Sequence, residues 1–413
     1  MKGLDWYIAQ RYLASRGGRL LSLITWIALG GVTVGVTALI VVIGVMNGMQ
    51  EDLRAKILGS TAHVIVLEQG NALRMRDYPR ILDSVLTVPE VTAAAPFILS
   101  QVTIIRGDYS QSADMYGISL DTTRVPPTDM ERQILSGELD LEPTGTGLPP
   151  LLLGSGFADR MQLFRGDTIV VASFENLATD VFGGLMPTLR QFEVTGTFTT
   201  GMYDYDTRNV YTSLETAQEL LGLEEGVASG IGVRTADPEI APDVAADLQE
   251  RLGFPYYVES WITTNRALFS ALKLEKLAMG LILYLIILVA AFNIISTLVM
   301  VVAERTREIG ILKAMGMTRQ GILRIFILQG VWIGVIGTLM GTVMGLALCW
   351  ILDRYEIIRI PPDVYFVDRL PVSVQGGDVL LIVAASVLVA FAATIYPSLQ
   401  AARLEPVDAI RHE

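Results

Sequence analysis

The chain has 413 residues, is 51% hydrophobic and carries a formal charge of −12, with a mean hydropathy of +0.47. That apolarity is too high for an ordinary water-soluble domain and directs attention to membrane spans. Two histidines and one cysteine exclude a disulfide framework and leave too few ligands for a zinc centre or imidazole-based catalysis.

Four uncharged stretches, residues 20–50, 277–303, 325–352 and 379–402, exceed the roughly 20 residues needed to cross a hydrocarbon core. They predict the following order. A segment over 1–20 leads into a first span over 21–49, too long for a signal-peptide core and without a following cleavage site. A large domain fills 50–275. A second span covers 276–303 and a charged helical segment 304–324. A third span over 325–352, a loop over 353–378, a fourth span over 379–400 and a tail over 401–413 complete the chain. Lys and Arg cluster before span one, between spans two and three, and in the tail, so both termini are expected to be cytoplasmic.

The inserted domain 50–275 holds 16 Lys and Arg against 32 Asp and Glu. This acidity argues against nucleic acid as a partner. Its sequence mixes strand-like runs at 63–67, 169–171 and 192–198 with two helices. One helix is capped by Ser213 and closed by Gly222; the other follows Pro242 and ends at Gly253. This is an α+β pattern, expected in two lobes with a Gly/Pro-rich break at 144–150. His63 is expected to be an ordinary strand residue.

In the spans, Gly31 and Gly35, then Gly330, Gly334, Gly337, Gly341 and Gly345, recur at the spacing that lets helices approach closely in lipid. Asn293 in span two wants a polar partner. No Lys follows a Gly anywhere, so no phosphate-binding G-x-x-x-x-G-K-[ST] loop exists. No H-E-x-x-H or G-x-S-x-G occurs either, and no catalytic constellation is present. The chain is therefore read as a non-enzymatic subunit.

The stretch Ala303-Glu-Arg-Thr-Arg-Glu-Ile-Gly-Ile-Leu-Lys-Ala-Met-Gly316 places charges on one side of a helix and Ile309, Ile311, Leu312 and Met315 on the other. It resembles the coupling segment of FtsX/MacB-type permeases. Val45-Met-Asn-Gly-Met-Gln-Glu-Asp-Leu53 with Ile57-Leu-Gly59, Ala290-Ala-Phe-Asn-Ile-Ile-Ser296, Tyr396-Pro-Ser398 and Pro406-Val-Asp-Ala-Ile-Arg411 are similar to the LolC/LolE family of lipoprotein-releasing permeases. The resemblance spans nearly the whole chain, in order.

The resemblance implies four transmembrane helices with a large α+β periplasmic domain between helices 1 and 2, in the bacterial inner membrane. It also implies a permease subunit of an ATP-driven ABC transporter. Such a transporter extracts outer-membrane lipoproteins and passes them to a LolA-like periplasmic carrier. ATP and Mg would be held by a separate LolD-like ATPase dimer, with no cofactor or metal on this chain. Glu304, Arg305, Arg307, Glu308, Gly310, Ile311, Lys313 and Gly316 would couple to that ATPase. Segment 175–190, ending Met186-Pro-Thr-Leu-Arg190, resembles the carrier-binding hook of LolC-type subunits, with Phe182, Gly183, Gly184, Pro187 and Arg190 as its contacts. Its Phe-Gly-Gly apex departs from the Pro-Met-Gly apex of the family's hook.

Val364-Tyr-Phe-Val-Asp-Arg-Leu-Pro371 resembles the outer loop of LolE-type subunits. One chain with both features resembles the single-permease version, which forms a homodimer; a LolC-like subunit paired with a paralogue is the alternative. Lipoprotein acyl chains and membrane lipid would meet Val42, Val45, Met46, Met49, Tyr365 and Phe366. A MacB-like exporter of peptides or drugs and an FtsX-like signalling scaffold for cell-wall hydrolases are the rival readings.

Overall fold

The computed structural model describes residues 19–70, 74–119, 128, 130–179, 185–355 and 370–405. The chain forms two compact units, a helical one that takes the described residues up to 51 and from 271 onward, and an inserted one over 52–270.

In chain order the elements begin with α1 (Arg19–Ser60), β1 (Val64–Glu68), α2 (Tyr78–Leu86), β2 (Val91–Arg106), β3 (Tyr109–Ile118), β4 (Ile134–Ser136) and β5 (Pro150–Gly154). Then come α3 (Ser155–Met161), β6 (Thr168–Thr179), β7 (Leu185–Phe198), α4 (Tyr203–Arg208), β8 (Asn209–Ser213), α5 (Leu214–Leu221), β9 (Gly230–Thr235) and α6 (Ala241–Leu252). The chain continues with β10 (Tyr256–Ser260), α7 (Trp261–Thr264), α8 (Arg266–Glu304), α9 (Thr306–Ala314), α10 (Arg319–Tyr355) and α11 (Gly376–Arg403).

Helices α1, α8, α10 and α11 are long and apolar enough to cross a membrane. All four overrun the expected spans, most of all α1, which continues to Ser60, and α8, which starts at Arg266. Hydropathy marks where the solvent changes, whereas Glu, Lys, Arg and Leu around both borders are all good helix formers and let the backbone run on.

The glycine ridge of α10 sets the packing of this unit. Gly330 and Gly334 lie against Thr394 and Ala390 of α11, and Gly337, Gly341 and Gly345 lie against Val32, Val36 and Ile40 of α1. Without side chains on the ridge, the α10 carbonyls are reachable. Thr33 Oγ1 donates to Gly337 O at 3.3 Å and Thr37 Oγ1 to Gly341 O at 3.1 Å. Asn293 of α8 rests on Gly31, where an added Cβ would sit 2.7 Å from Asn293 Nδ2. Small residues and interhelical hydrogen bonds supply the association that the hydrophobic effect cannot provide inside lipid.

The inserted unit is built on one ten-stranded sheet, ordered β10-β1-β9-β2-β3-β8-β5-β7-β4, with β6 pairing both β2 and β7. Strands β3 and β8, and β5 and β7, run parallel; the other pairs are antiparallel. Period-two alternation sends Val64, Val66, Ile98, Met115, Ile231 and Val233 to a buried face. Two large cores form on this single sheet, beside a smaller one of Met130, Leu152, Phe198 and Tyr211. One gathers Phe157, Phe192, Val194, Leu214 and Leu220, and the other Met75, Val85, Val244, Leu248 and Trp261.

Residues 144–150 do not divide the unit into lobes, contrary to the expected break. Thr144 N donates to Leu148 O, forming a turn that enters the internal strand β5. Ser213 caps α5 by accepting from Thr216 N, and Gly222 closes it at φ 63°, as the sequence predicts. His63 is buried, its Nδ1 2.9 Å from Thr235 Oγ1.

Candidate functional site

Three regions carry the residues singled out from sequence. The first is the turn between α8 and α10. The backbone leaves α8 at Arg305 (φ −99°, ψ 12°), makes the nine-residue α9, and turns at Gly316 (φ 94°) before α10 begins. Segment 304–324 is therefore not one helix but a short helix between the ends of two long ones. Its positive-φ glycine supplies a reversal that a side chain would strain.

The apolar residues of α9 also divide between two faces, contrary to the single stripe expected. Ile309 is buried with Val301, Val302, Ile322, Phe326 and Ala401, and Leu312 packs on the edge of that cluster. Ile311 and Met315, one turn apart, are 47% and 80% exposed. Around them Glu304, Arg307, Glu308 and Gly316 are exposed as well. Gly310 is buried, and Arg305 is 5% exposed with its guanidinium 3.0 Å from Glu308.

Lys313 turns inward. Its Nζ donates to Ala402 O at 2.7 Å and to Leu404 O at 2.5 Å, satisfying carbonyls at the end of α11. Partial burial, then Arg319, pushes its pKa below the usual lysine value, while Glu405 pulls it back. So Arg305, Gly310 and Lys313 hold the turn together, and the outward surface is Ile311 and Met315 within a ring of charge. Met315 is the residue that sequence reasoning left out of the site; its i, i+4 spacing from Ile311 was the available signal.

The second region is the β6–β7 hairpin. Pairing runs from Thr168↔Glu193 to Ser173↔Thr188, shifts at a bulge, and resumes from Leu177↔Pro187 to Thr179↔Leu185. Strand β2 supports β6 only between Val170 and Ser173. Beyond Ser173 the hairpin is a two-stranded arm, with Phe174, Leu177 and Met186 exposed, and Leu189 is exposed at its root, opposite Ala172. Exposed apolar side chains this dense on an arm mark a contact surface. Phe182, Gly183 and Gly184 lie outside the described residues. Pro187 sits on the arm, half-buried. Arg190 is paired with Glu219 of α5, so its charge is engaged within the domain rather than at the tip.

The third region is the end of α1 before the inserted unit. Val42, Val45 and Met49 are half-buried, whereas Met46, at 9% exposed, is buried rather than on an open wall. Residues 371–375 lie along this end. Ser373 N donates to Gly44 O at 2.8 Å, and a Cβ at Gly48 would lie 2.7 Å from Val372 N. Asn47 Nδ2 donates to Asp378 Oδ2 at 2.6 Å and Gln375 Nε2 to Glu51 Oε1 at 3.0 Å. Tyr365 and Phe366 lie outside the described residues. Among the described residues no group of three His, Cys, Asp or Glu could hold a metal.

Family models match both units of this architecture. The FtsX-like permease C-terminal matches residues 280–406, and the MacB-like periplasmic core domain matches residues 25–251. The lipoprotein-releasing system transmembrane protein LolC of Xylella fastidiosa is 35% identical, over 98% of each chain. LolC of Neisseria meningitidis serogroup B is 34% identical over the whole of both chains. LolE of Haemophilus influenzae is 26% identical over 98% of each. With full-length relatives at this identity and the MacB-like core spanning more than half of its residues, the chain belongs to the LolC/LolE family of lipoprotein-releasing system transmembrane proteins.

Proposed function

We propose that this protein is the membrane subunit of an ABC transporter that extracts lipoproteins from the bacterial inner membrane and delivers them to a periplasmic carrier. Full-length similarity to LolC proteins carries this reading. The Lys and Arg bias beside the spans supports a reading with both termini and α9 in the cytoplasm and the inserted unit in the periplasm. Each acyl methylene buried in lipid holds a lipoprotein by about 0.8 kcal/mol, so a multiply acylated protein needs work to leave. The chain has no nucleotide-binding loop, and that work comes from a separate ATPase dimer.

The ATPase docks on Ile311 and Met315, an apolar centre in a charged rim, the usual anatomy of a protein interface. Lys313 and Arg305 fix α9 to the ends of α8 and α11, so movement of α9 is passed to the spans. The carrier engages the β6–β7 arm through Leu177 and Met186. Two permease copies, or one copy and a paralogue, complete the transporter. The test is reconstitution of the chain with its ATPase and carrier in proteoliposomes holding a radiolabelled lipoprotein. ATP-dependent appearance of label on soluble carrier is expected; ATP hydrolysis with no release refutes the reading.

A further inference from the structure

The inserted unit contains a cavity of about 740 Å³ that the reading above leaves without a role. It lies wholly within this unit, on the sheet face opposite α2, α5 and α6. Its floor is Ile65, Leu67, Phe97, Leu99, Tyr116 and Ile118, from β1, β2 and β3, and its rim includes Met130, Leu139, Tyr205 and Trp261. The volume is that of a small-molecule site rather than a packing defect.

Three observations select the occupant. First, the floor strands β1, β2 and β3 are internal to the sheet, and at Leu99, where β2 lacks a second strand, the N–H donates to Ser229 Oγ and the carbonyl accepts from Arg74. A peptide entering here would find no strand edge and would leave its own amides unsatisfied in an apolar site. A hydrocarbon chain brings no such groups. Second, among the described residues the charged lining is one cation and four carboxylates, Arg74 against Asp114, Glu131, Glu175 and Glu259. Arg74 donates to Leu99 O, Ser229 Oγ and Glu175, and Glu175 also accepts from Ser100 Oγ at 2.6 Å, so the cation is consumed internally. A lipid with an anionic headgroup meets repulsion that this lining does not answer. Third, Glu175 stands at the root of the β6–β7 arm, between Ser173 and Leu177 where the ladder shifts. The cavity therefore opens where the arm leaves the sheet.

We propose that this cavity receives an acyl chain of the lipoprotein as it passes from membrane to carrier, a transit site inside the domain. The inference rests on the lipoprotein-release reading. Its aromatic and methionine lining yields to chains of different length and kink.

The test uses the full chain in native membranes with its ATPase. Ile118 or Leu139 is replaced by p-benzoylphenylalanine, and lipoproteins are labelled through their acyl groups with radioactive palmitate. The same replacement at Tyr109, 76% exposed and outside the cavity lining, is the control. Illumination is expected to yield a labelled lipoprotein adduct at 118 and 139 and none at 109. Adding Ala95→Phe, which fills the floor, should remove the adduct at 118 while the ATPase still co-purifies.

A labelled phospholipid adduct, an adduct with an unacylated form of the same lipoprotein, equal labelling at 109, or no adduct would each overturn the assignment. Lipoprotein release by the unsubstituted chain is measured alongside. Release without the adduct defeats the cavity assignment alone, whereas absence of release defeats the reading beneath it.

Discussion

Replacing Gly341 by alanine should force α1 away from α10. A Cβ there would lie 2.7 Å from both Thr33 O and Val36 Cβ, against an ordinary contact of 3.4 Å or more. The backbone oxygen cannot rotate aside, so the helices must separate by about 0.7 Å to restore van der Waals contact. That shift stretches the Thr37–Gly341 hydrogen bond from 3.1 Å to roughly 3.8 Å, beyond useful range. An interhelical hydrogen bond in a membrane protein contributes about 0.6 kcal/mol, and overpacking costs about 1–3 kcal/mol. The helix gains about 0.5–1 kcal/mol from exchanging glycine for alanine. The net expectation is a loss of about 2 kcal/mol.

Gly30, with no heavy atom within 4 Å of an added Cβ, is the internal control, and its alanine variant should be stabilised by about 0.5–1 kcal/mol. Gly345 should fall between the two, because its nearest neighbours are Ile40 side-chain atoms at 3.0 Å or more, a milder overlap than at Gly341. Equilibrium unfolding in mixed dodecyl maltoside and SDS micelles, followed by tryptophan fluorescence, ranks the three. If Gly341→Ala and Gly30→Ala are equally stable, close approach at this ridge is not what holds α1 to α10.

Ile311→Asp and Met315→Asp place charges on an exposed surface, so the chain should assemble normally and lose co-purification with the ATPase; retained ATPase moves the docking site elsewhere. Lys313→Met leaves the Ala402 and Leu404 carbonyls without their donor and should cost about 1–3 kcal/mol, read as faster proteolysis of the C-terminal tail, while Lys313→Arg restores much of it. Leu177→Asp with Met186→Asp on the hairpin arm should abolish carrier pull-down and leave ATP hydrolysis intact; undiminished carrier binding excludes the arm. Glu193 accepts from the Thr144 and Thr146 hydroxyls, which hold its pKa below 4.5 against a small opposing effect of burial. Its stabilisation is therefore present above pH 4.5 and lost as pH falls through the lower folded value. Thr144→Val should begin to expose the 144–148 turn at higher pH than the parent, measured as deuterium uptake of that segment across the acid range.

Much of this molecule is legible in one dimension because its signals are local. Four uncharged stretches longer than a bilayer core announce the spans, since no water is available there to solvate a charge or a free backbone group. The cap at Ser213 and the stop at Gly222 fix α5 from a few neighbouring residues. The glycine spacing of α10 declares that helices meet there. The direction of each glycine was not readable: that Gly330 and Gly334 serve α11 while Gly337, Gly341 and Gly345 serve α1 depends on where three helices cross.

Segment 304–316 shows the same division. Its composition marks an amphipathic helix beside the membrane, but its pattern does not say which apolar residues are inside. The break at Arg305 and the reversal at Gly316 rotate α9 so that Ile309 enters the core and Ile311 and Met315 leave it. Lys313 reads as a free surface charge until α11, 89 residues later at Ala402, brings its last carbonyls to it. The acyl-sized cavity is likewise invisible along the chain, because its floor joins the β2–β3 hairpin to β1 across β9, and its rim takes Tyr205 and Trp261 from much later in the chain. Sequence alone determined the spans, caps and charge asymmetry, which depend on solvent and near neighbours. Only the tertiary structure decided which faces are shared and which are left open, because that depends on partners distant in the chain.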